Sequence, residues 1–371
     1  MSRLGRYAWP SVIILLVVTG FFIDFMRFGG QFRDLTPLPA TLCRNVALPG
    51  SAEDLQLDRG RGLAYLSVLD RRGLVEGLPV TGQLMQLDLN NTAMPVTNAA
   101  LSLPANFRPH GMSLYRMGDG AQRLFVISHP PEAPHTIEVL EQRSNGLFQP
   151  VETILNELLV SPNAIVGVGP RQFYAANDKG DGGLLTRLRE LLFREGFSTI
   201  VYFDGEQMRI VASGLKSASG MAMSPDGLTL YVAETFGRRI AIFDRNSSSG
   251  NLRLREYLEI DGAPDNLQVD PEGALWIAAH PKLLDLVRHF ADREHPSPTR
   301  IIRYRTRPDA PLVDDRVEIR DMFLDLGQSV SAGSVGTPFG GQLLIGSITE
   351  PKVLACRLPD NVRPENTGVA P

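Results

Sequence analysis

The chain of 371 residues has only two cysteines, Cys43 and Cys356, and only four of its 37 basic residues are lysine. Two cysteines cannot build a CxxC metal site or a disulfide-rich scaffold. With a net charge of −4 and no lysine-rich patch, the chain lacks the basic face that a nucleic-acid binder needs. Several catalytic signatures are missing as well. There is no G-x-S-x-G elbow, no H-E-x-x-H, no P-loop, and no G-x-G-x-x-G opening a helix after a strand. The segment from Asp178 to Gly182 (DKGDG) has neither the alternating ligands nor the closing glutamate of an EF-hand.

What is abundant is glycine and proline, 62 of 371 residues, or about one in six where about one in eight is ordinary. Hydrophobic content of 43% against 21% charged is enough for a large core. Breakers recurring about every ten residues favour many short strands joined by turns. One long apolar run stands apart near the N-terminus, Trp9–Ile23, flanked by Arg3 and Arg6 before it and Asp24 and Arg27 after it. From Tyr7 to Met26 it spans about 20 positions, the length of a membrane-crossing helix, with its positive flank cytoplasmic. This divides the chain into an anchor, 1–30, and an extracytoplasmic domain, 31–371. A cleaved signal peptide is the alternative, although no A-x-A site follows the run. Export also permits a disulfide between Cys43 and Cys356, with two free buried thiols as the other reading.

A weak repeat sets the architecture. A glycine-containing turn followed by an apolar strand recurs, as in SPDGLTLYVAET (224–235) and DPEGALWIAAH (270–280). The first strand residues of the copies are Leu63, Leu124, Phe173, Leu230, Leu275 and Leu343. They define six units of about 56 residues, each with room for four short strands, and such units close radially. The expected fold is all-β, a six-bladed β-propeller with an N-terminal hydrophobic helix. Two helical insertions interrupt it, 184–193 with its leucines on one face and Lys282–Asp292 with Leu283, Leu284, Val287 and Phe290 grouped. Each either covers the core as a lid or contacts a membrane surface.

Polar residues recur at strand edges: Glu53-Asp54, His110, His129, Asn163, Asn177-Asp178, Asp265-Asn266 and His280. In a propeller such edges converge on the central channel, and an oxygen-rich set there suits Ca²⁺ better than zinc. Turn formation is the alternative role for the same residue types.

Taken together, PGSAEDLQL (49–57), FRPHGMSLY (107–115), FVISHP (125–130), SPNAIVGVGPRQFYAAND (161–178), SPDGLTLYVAET and PDNLQVDPEGALWIAAHP (264–281) resemble the paraoxonase/arylesterase family over about residues 40–358. The resemblance implies a calcium-dependent propeller that hydrolyses lactones and aryl esters, with an uncleaved N-terminal helix and a Cys43–Cys356 disulfide. It places Glu53, Asn163, Asp265 and Asn266 on a catalytic calcium, with Ser219 where the family carries an amide. It makes His110 and His129 a dyad that draws a proton from water, a task suited to imidazole. It puts Asp54 and the Met112 carbonyl on a second calcium whose further carboxylate is replaced here by Ala164, and Lys179 where vertebrate relatives carry histidine. His280 corresponds to a pocket-lining residue, while His135, His289 and His295 read as surface residues. The expected partners are a small lipophilic ester or lactone and a membrane reached through the anchor and helix 184–193. A non-catalytic ligand-binding propeller, and an enzyme of gluconolactonase or strictosidine-synthase type, are the other readings.

Overall fold

The computed structural model describes residues 3–38, 42–306 and 317–359, with side chains from Val12 onward. Six four-stranded antiparallel sheets follow one another around an axis. The first strand of each sheet approaches the first strands of its neighbours, so these six strands line the centre. They are Ser51–Asp58, Pro109–Arg116, Pro162–Gly167, Ala218–Met223, Ala263–Val269 and Gly333–Phe339, in blades 1 to 6. The repeat read from sequence marks the second strand of every blade, which opens at or beside the six residues named above.

Those second strands are apolar on both faces because each blade is covered by a neighbour on either side. Leu63–Leu69, Gln122–Ser128 and Leu275–His280 are buried almost throughout. Buried side chains fall into six clusters, one in each seam between adjacent blades. Phe125 and Phe173, for example, meet across the seam of blades 2 and 3 with ring centroids 5.7 Å apart. Putting the apolar core in the seams leaves the axis itself free to be polar.

The ring is closed by the chain's own ends. Cys43–Ala47 supplies the outer strand of blade 6 and pairs antiparallel with Lys352–Arg357. Cys43 lies opposite Cys356 in this register, and the two form a disulfide across a sequence separation of 313 residues. Cross-linking so long a segment restricts the unfolded chain strongly. Cys356→Ser should therefore lower the unfolding free energy by about 2–5 kcal/mol. Urea denaturation checks this, and an unchanged midpoint would show that strand pairing alone closes the ring.

Among the described residues four helices accompany the blades: α1 (Arg3–Phe28), α2 (Arg71–Val75), α3 (Leu184–Phe193) and α4 (Leu283–Ala291). α3 and α4 match the two expected insertions. The expected membrane span is where the structure departs from the sequence reading: no helix among the described residues is long and apolar enough to cross a membrane. α1 runs from Arg3 to Phe28, with the charged residues Arg3, Arg6, Asp24 and Arg27 near its two ends. The side chains of Tyr7–Ser11 lie outside the described residues.

The end of α1 is seated on the propeller. Phe21 meets Phe193 of α3 at 6.1 Å, Arg194 pairs with Asp24, and Leu283 of α4 donates its N–H to Gly29. The leucines of α3 do not form a packed lid. Leu184 and Leu185 are more than 70% exposed, and only Glu190 of this helix is buried.

Candidate active site

Each of the six axial strands carries an irregularity in its pairing with the second strand, always near its start. The register shifts fall between Ala52 and Leu55, Pro109 and Met112, Pro162 and Ala164, Ala218 and Gly220, Pro264 and Leu267, and Gly333 and Val335. An extra residue of this kind breaks the alternation of the strand and re-aims its side chain. The residues inside these bulges are Glu53-Asp54, His110-Gly111, Asn163, Ser219, Asp265-Asn266 and Ser334. Every expected ligand of the catalytic metal is among them, together with His110. Ser334 is the sixth, and sequence reasoning missed it because serine between small residues carries no signal of its own. Its offset of about ten residues from Leu343, like that of Glu53 from Leu63, was the available clue.

The bulges bring these residues into one cluster. Asn266 donates from Nδ2 to Glu53 Oε1 at 2.7 Å and to the Glu53 carbonyl at 3.1 Å. Ser334 donates to the same carbonyl at 2.6 Å. His110 Nε2 lies 3.5 Å from Glu53 Oε2, and His280 Nε2 lies 3.0 Å from Asp265 Oδ2. Two glycines permit the close approach. A Cβ on Gly111 would stand 2.3 Å from the Asn163 carbonyl oxygen, and one on Gly220 would stand 2.2 Å from that of Asp265. Any larger residue at either place would push neighbouring axial strands apart.

The buried acids respond to this crowding. Burial works against the charged form of Glu53, but His110, Arg71 and Asn266 outweigh it and hold the carboxyl below its ordinary range. Asp54 is pushed well above it by burial and by the Glu53 charge. Asp265 is raised by burial, against the pull of His280. Arg71, which sequence reasoning also missed, is half-buried beside all three and donates to the Ser51 and Pro109 carbonyls.

The donor set fits a hard cation. Glu53 Oε2 and Asn163 Oδ1 are buried without a hydrogen-bond partner, a costly state for polar atoms that a cation would relieve. Two carboxylates, two amides and the Ser219 hydroxyl are all oxygen ligands. Among the described residues no three His, Cys, Asp or Glu gather as a metal cluster, so the fit rests on the amide and hydroxyl oxygens together with the two carboxylates. Ser219 is the weakest member, because it donates to the Pro264 carbonyl at 3.2 Å and accepts from Thr235 at 2.6 Å. The residues expected at a second calcium do not fit one. Asp54 spends one oxygen on the Met112 N–H and the other on the Leu55 N–H, both at 2.7 Å, and Ala164 offers no carboxylate.

Above the acids, three imidazoles form a chain. His110 Nδ1 lies 2.9 Å from His129 Nε2, and His129 Nδ1 lies 2.8 Å from His135 Nδ1. His135 therefore is not the surface residue expected from sequence; a loop after the SHP segment folds it back onto the dyad. His289 is not a surface residue either: it is buried, bonded to Thr349 and to the His295 carbonyl. His110, His129 and His135 line a cavity of about 510 Å³, with α2, Asn163 and Phe290 of α4 in its wall.

Burial, reinforced by His110 and His135, lowers the His129 pKa to about 2. Between that value and about 6.5 the unfolded chain binds a proton at His129 that the folded chain refuses, so stability falls as pH falls. At pH 5 this histidine alone removes about 2 kcal/mol. His129→Gln should flatten the decline in urea midpoint between pH 6.5 and pH 5. Parallel curves for variant and wild type would contradict the assignment.

Comparison with known proteins identifies the family and agrees with the fold. A family model described as Arylesterase matches residues 58–358. The chain belongs to the arylesterase family. Serum paraoxonase/arylesterase 1 of Rattus norvegicus is 30% identical over 336 residues, covering 88% of this chain and 92% of its own. Serum paraoxonase/arylesterase 2 of Homo sapiens is 29% identical over 319 residues, covering 84% and 87%. Among solved structures, a luciferin-regenerating enzyme aligns with a TM-score of 0.52 at 13% identity, over 86% of this chain and 95% of that one. Regucalcin from Agrobacterium tumefaciens, described as a calcium-binding protein, aligns with a TM-score of 0.50 at 14% identity, over 87% and 97%. At such identities the structural likeness is one of fold.

Proposed function

We propose that the protein is a calcium-dependent hydrolase of carboxylic esters and lactones. The observation that carries this reading is the pair of buried oxygens that accept no hydrogen bond, Glu53 Oε2 and Asn163 Oδ1, with the His110 imidazole 3.5 Å from the first. When bound by Glu53, Asn163, Ser219, Asp265 and Asn266, calcium supplies polarisation of a substrate carbonyl and stabilises negative charge on its oxygen. The remaining work falls to the chain. His110, with Nδ1–H directed to His129, offers Nε2 to accept a proton from water. The water oxygen bonds to the carbonyl carbon, the bond to the leaving oxygen breaks, and that oxygen recovers the proton. An acid and an alcohol result, or a hydroxy acid from a lactone. His129, held neutral by burial, orients His110 without competing for its proton.

The exposed leucines of α3, Phe193 and Val287 of α4 share the pocket's end of the molecule with α1. This apolar face, with Arg187 of α3 and Phe290 of α4 in the cavity wall, supports a protein that lies on the extracytoplasmic face of a membrane and takes lipophilic substrates from that side. The engaged hydroxyl of Ser219 favours a second reading, a propeller that binds ligand without catalysis. Hydrolysis of phenyl acetate and a long-chain aliphatic lactone by the full chain with calcium decides between them. Turnover of either supports the first reading, and none at any calcium concentration contradicts it.

A further inference from the structure

The wall of the cavity is more cationic than a site for neutral lipophilic esters requires. Arg71, Arg108, Lys179 and Arg187 line it, with Asp178 as the one acid in that wall. Asp178 is paired with Lys179 at 3.3 Å, which cancels that cation. Arg71 is committed inward: its guanidinium donates to neutral oxygens of Ser51 and Pro109 and faces the buried acids. Two guanidinium groups are left over. Among the described residues neither Arg108 nor Arg187 makes a side-chain ion pair or hydrogen bond. Arg108 is the more telling of the two, because its Nε is buried and partnerless.

Burying a donor without an acceptor is costly, and the cost is recovered when a ligand supplies the acceptor. A guanidinium offers a planar fork of N–H donors that matches a carboxylate edge to edge. Against it stand apolar walls from Leu74, Val75 and Phe290, which suit a hydrocarbon body. The complement of this surface is one hydrocarbon chain bearing one anionic head.

We propose that the site takes anionic amphiphiles, namely esters or lactones that carry a free carboxylate on their chain, with Arg108 binding that carboxylate and Arg187 adding charge at the rim. This rests on the ester hydrolase reading for the reaction, but not for the binding, so the two can fail separately.

Two measurements on the full chain test it. The first compares kcat/KM for monophenyl adipate and for phenyl hexanoate, which share the aryl ester and differ in a terminal carboxylate. Wild type should favour the half-ester by about tenfold, mainly through KM, with the advantage shrinking as ionic strength rises. In Arg108→Gln the ratio should fall to about one, and Arg187→Gln, on an exposed helix face that tolerates substitution, should lower it partially. The second measurement needs no turnover: calorimetric binding of octanoate and octanol in EDTA, where no metal can hold the carboxylate. Octanoate should bind about tenfold more tightly, and Arg108→Gln should erase the difference.

Hydrolysis of both esters without preference, or equal binding of octanoate and octanol, overturns the inference while leaving the hydrolase reading intact. Octanoate selectivity dependent on Arg108 in a protein that hydrolyses neither ester sustains the inference and sinks the hydrolase. If Arg108-dependent binding is seen only to phosphatidylglycerol vesicles, the arginines serve a lipid headgroup and the proposal fails.

Discussion

Glu53→Gln lowers ester hydrolysis at fixed micromolar calcium by about 10³-fold and weakens calcium binding by at least about 100-fold. The magnitude follows from the donor set. Of five oxygen-bearing side chains, only Glu53 and Asp265 carry formal charge, and one oxygen of Asp265 is held by His280. Glu53 Oε2 accepts no hydrogen bond and has only the His110 imidazole beside it at 3.5 Å, so it is the carboxylate oxygen most available to a cation. Glutamine keeps the volume and can keep the Asn266 hydrogen bond through its carbonyl, which removes the charge without emptying the site. The loss should therefore be partly recovered at millimolar calcium. In EDTA the variant should stay folded with a modest loss of stability, since the favourable contacts of the Glu53 charge with His110 and Arg71 are lost while the repulsion felt by Asp54 is relieved. A variant that is merely unfolded would fail both checks. One that retains wild-type activity at low calcium would contradict the placement of the metal.

His110→Gln should reduce kcat by about 10²–10⁴-fold, the range that a positioned proton acceptor supplies, with calcium affinity within a few-fold of wild type. His110 is the only imidazole that reaches both Glu53 and the rest of the histidine chain, at 3.5 Å and 2.9 Å. Glutamine can still bond to His129 but cannot take up a proton from water. KM should move little, because the apolar walls and the cation wall are untouched. Stopped-flow or steady-state assays with phenyl acetate, paired with calcium titration of the same preparations, separate the two effects. Loss of calcium binding along with activity would recast His110 as a structural support of Glu53.

The propeller was legible because its repeat sits in the second strand of each blade, the strand covered on both faces. There the requirement for continuous apolar residues after a glycine turn is strictest. The axial cluster was visible in the sequence only as polar residues at strand edges, and the resemblance gave them roles. Glu53, Asn163 and Asp265 sit in bulges, and a bulge leaves no periodic trace: it is one extra residue in a strand, seen only when the partner strand is known. Ser334 illustrates the limit, since it occupies the equivalent place in blade 6 and looks like any serine beside glycine. His135 was misread because its role depends on a loop folding back over six residues to His129. The leucine face of α3 was correctly read as helical, but helical period cannot say what covers the face; in the structure nothing in the propeller does. Arg108 and Arg187 were invisible for a related reason. An arginine declares itself only when its neighbours are known and none of them pairs with it.

The central claim is that oxygen ligands on the propeller axis hold a calcium needed for hydrolysis. The most direct test is phenyl acetate turnover by the full chain after exhaustive EDTA treatment, followed by titration with calcium, magnesium or zinc. Activity should vanish with chelation and return with calcium alone, along a curve that matches binding of one ion. Turnover that survives chelation, or returns equally with zinc, would contradict it.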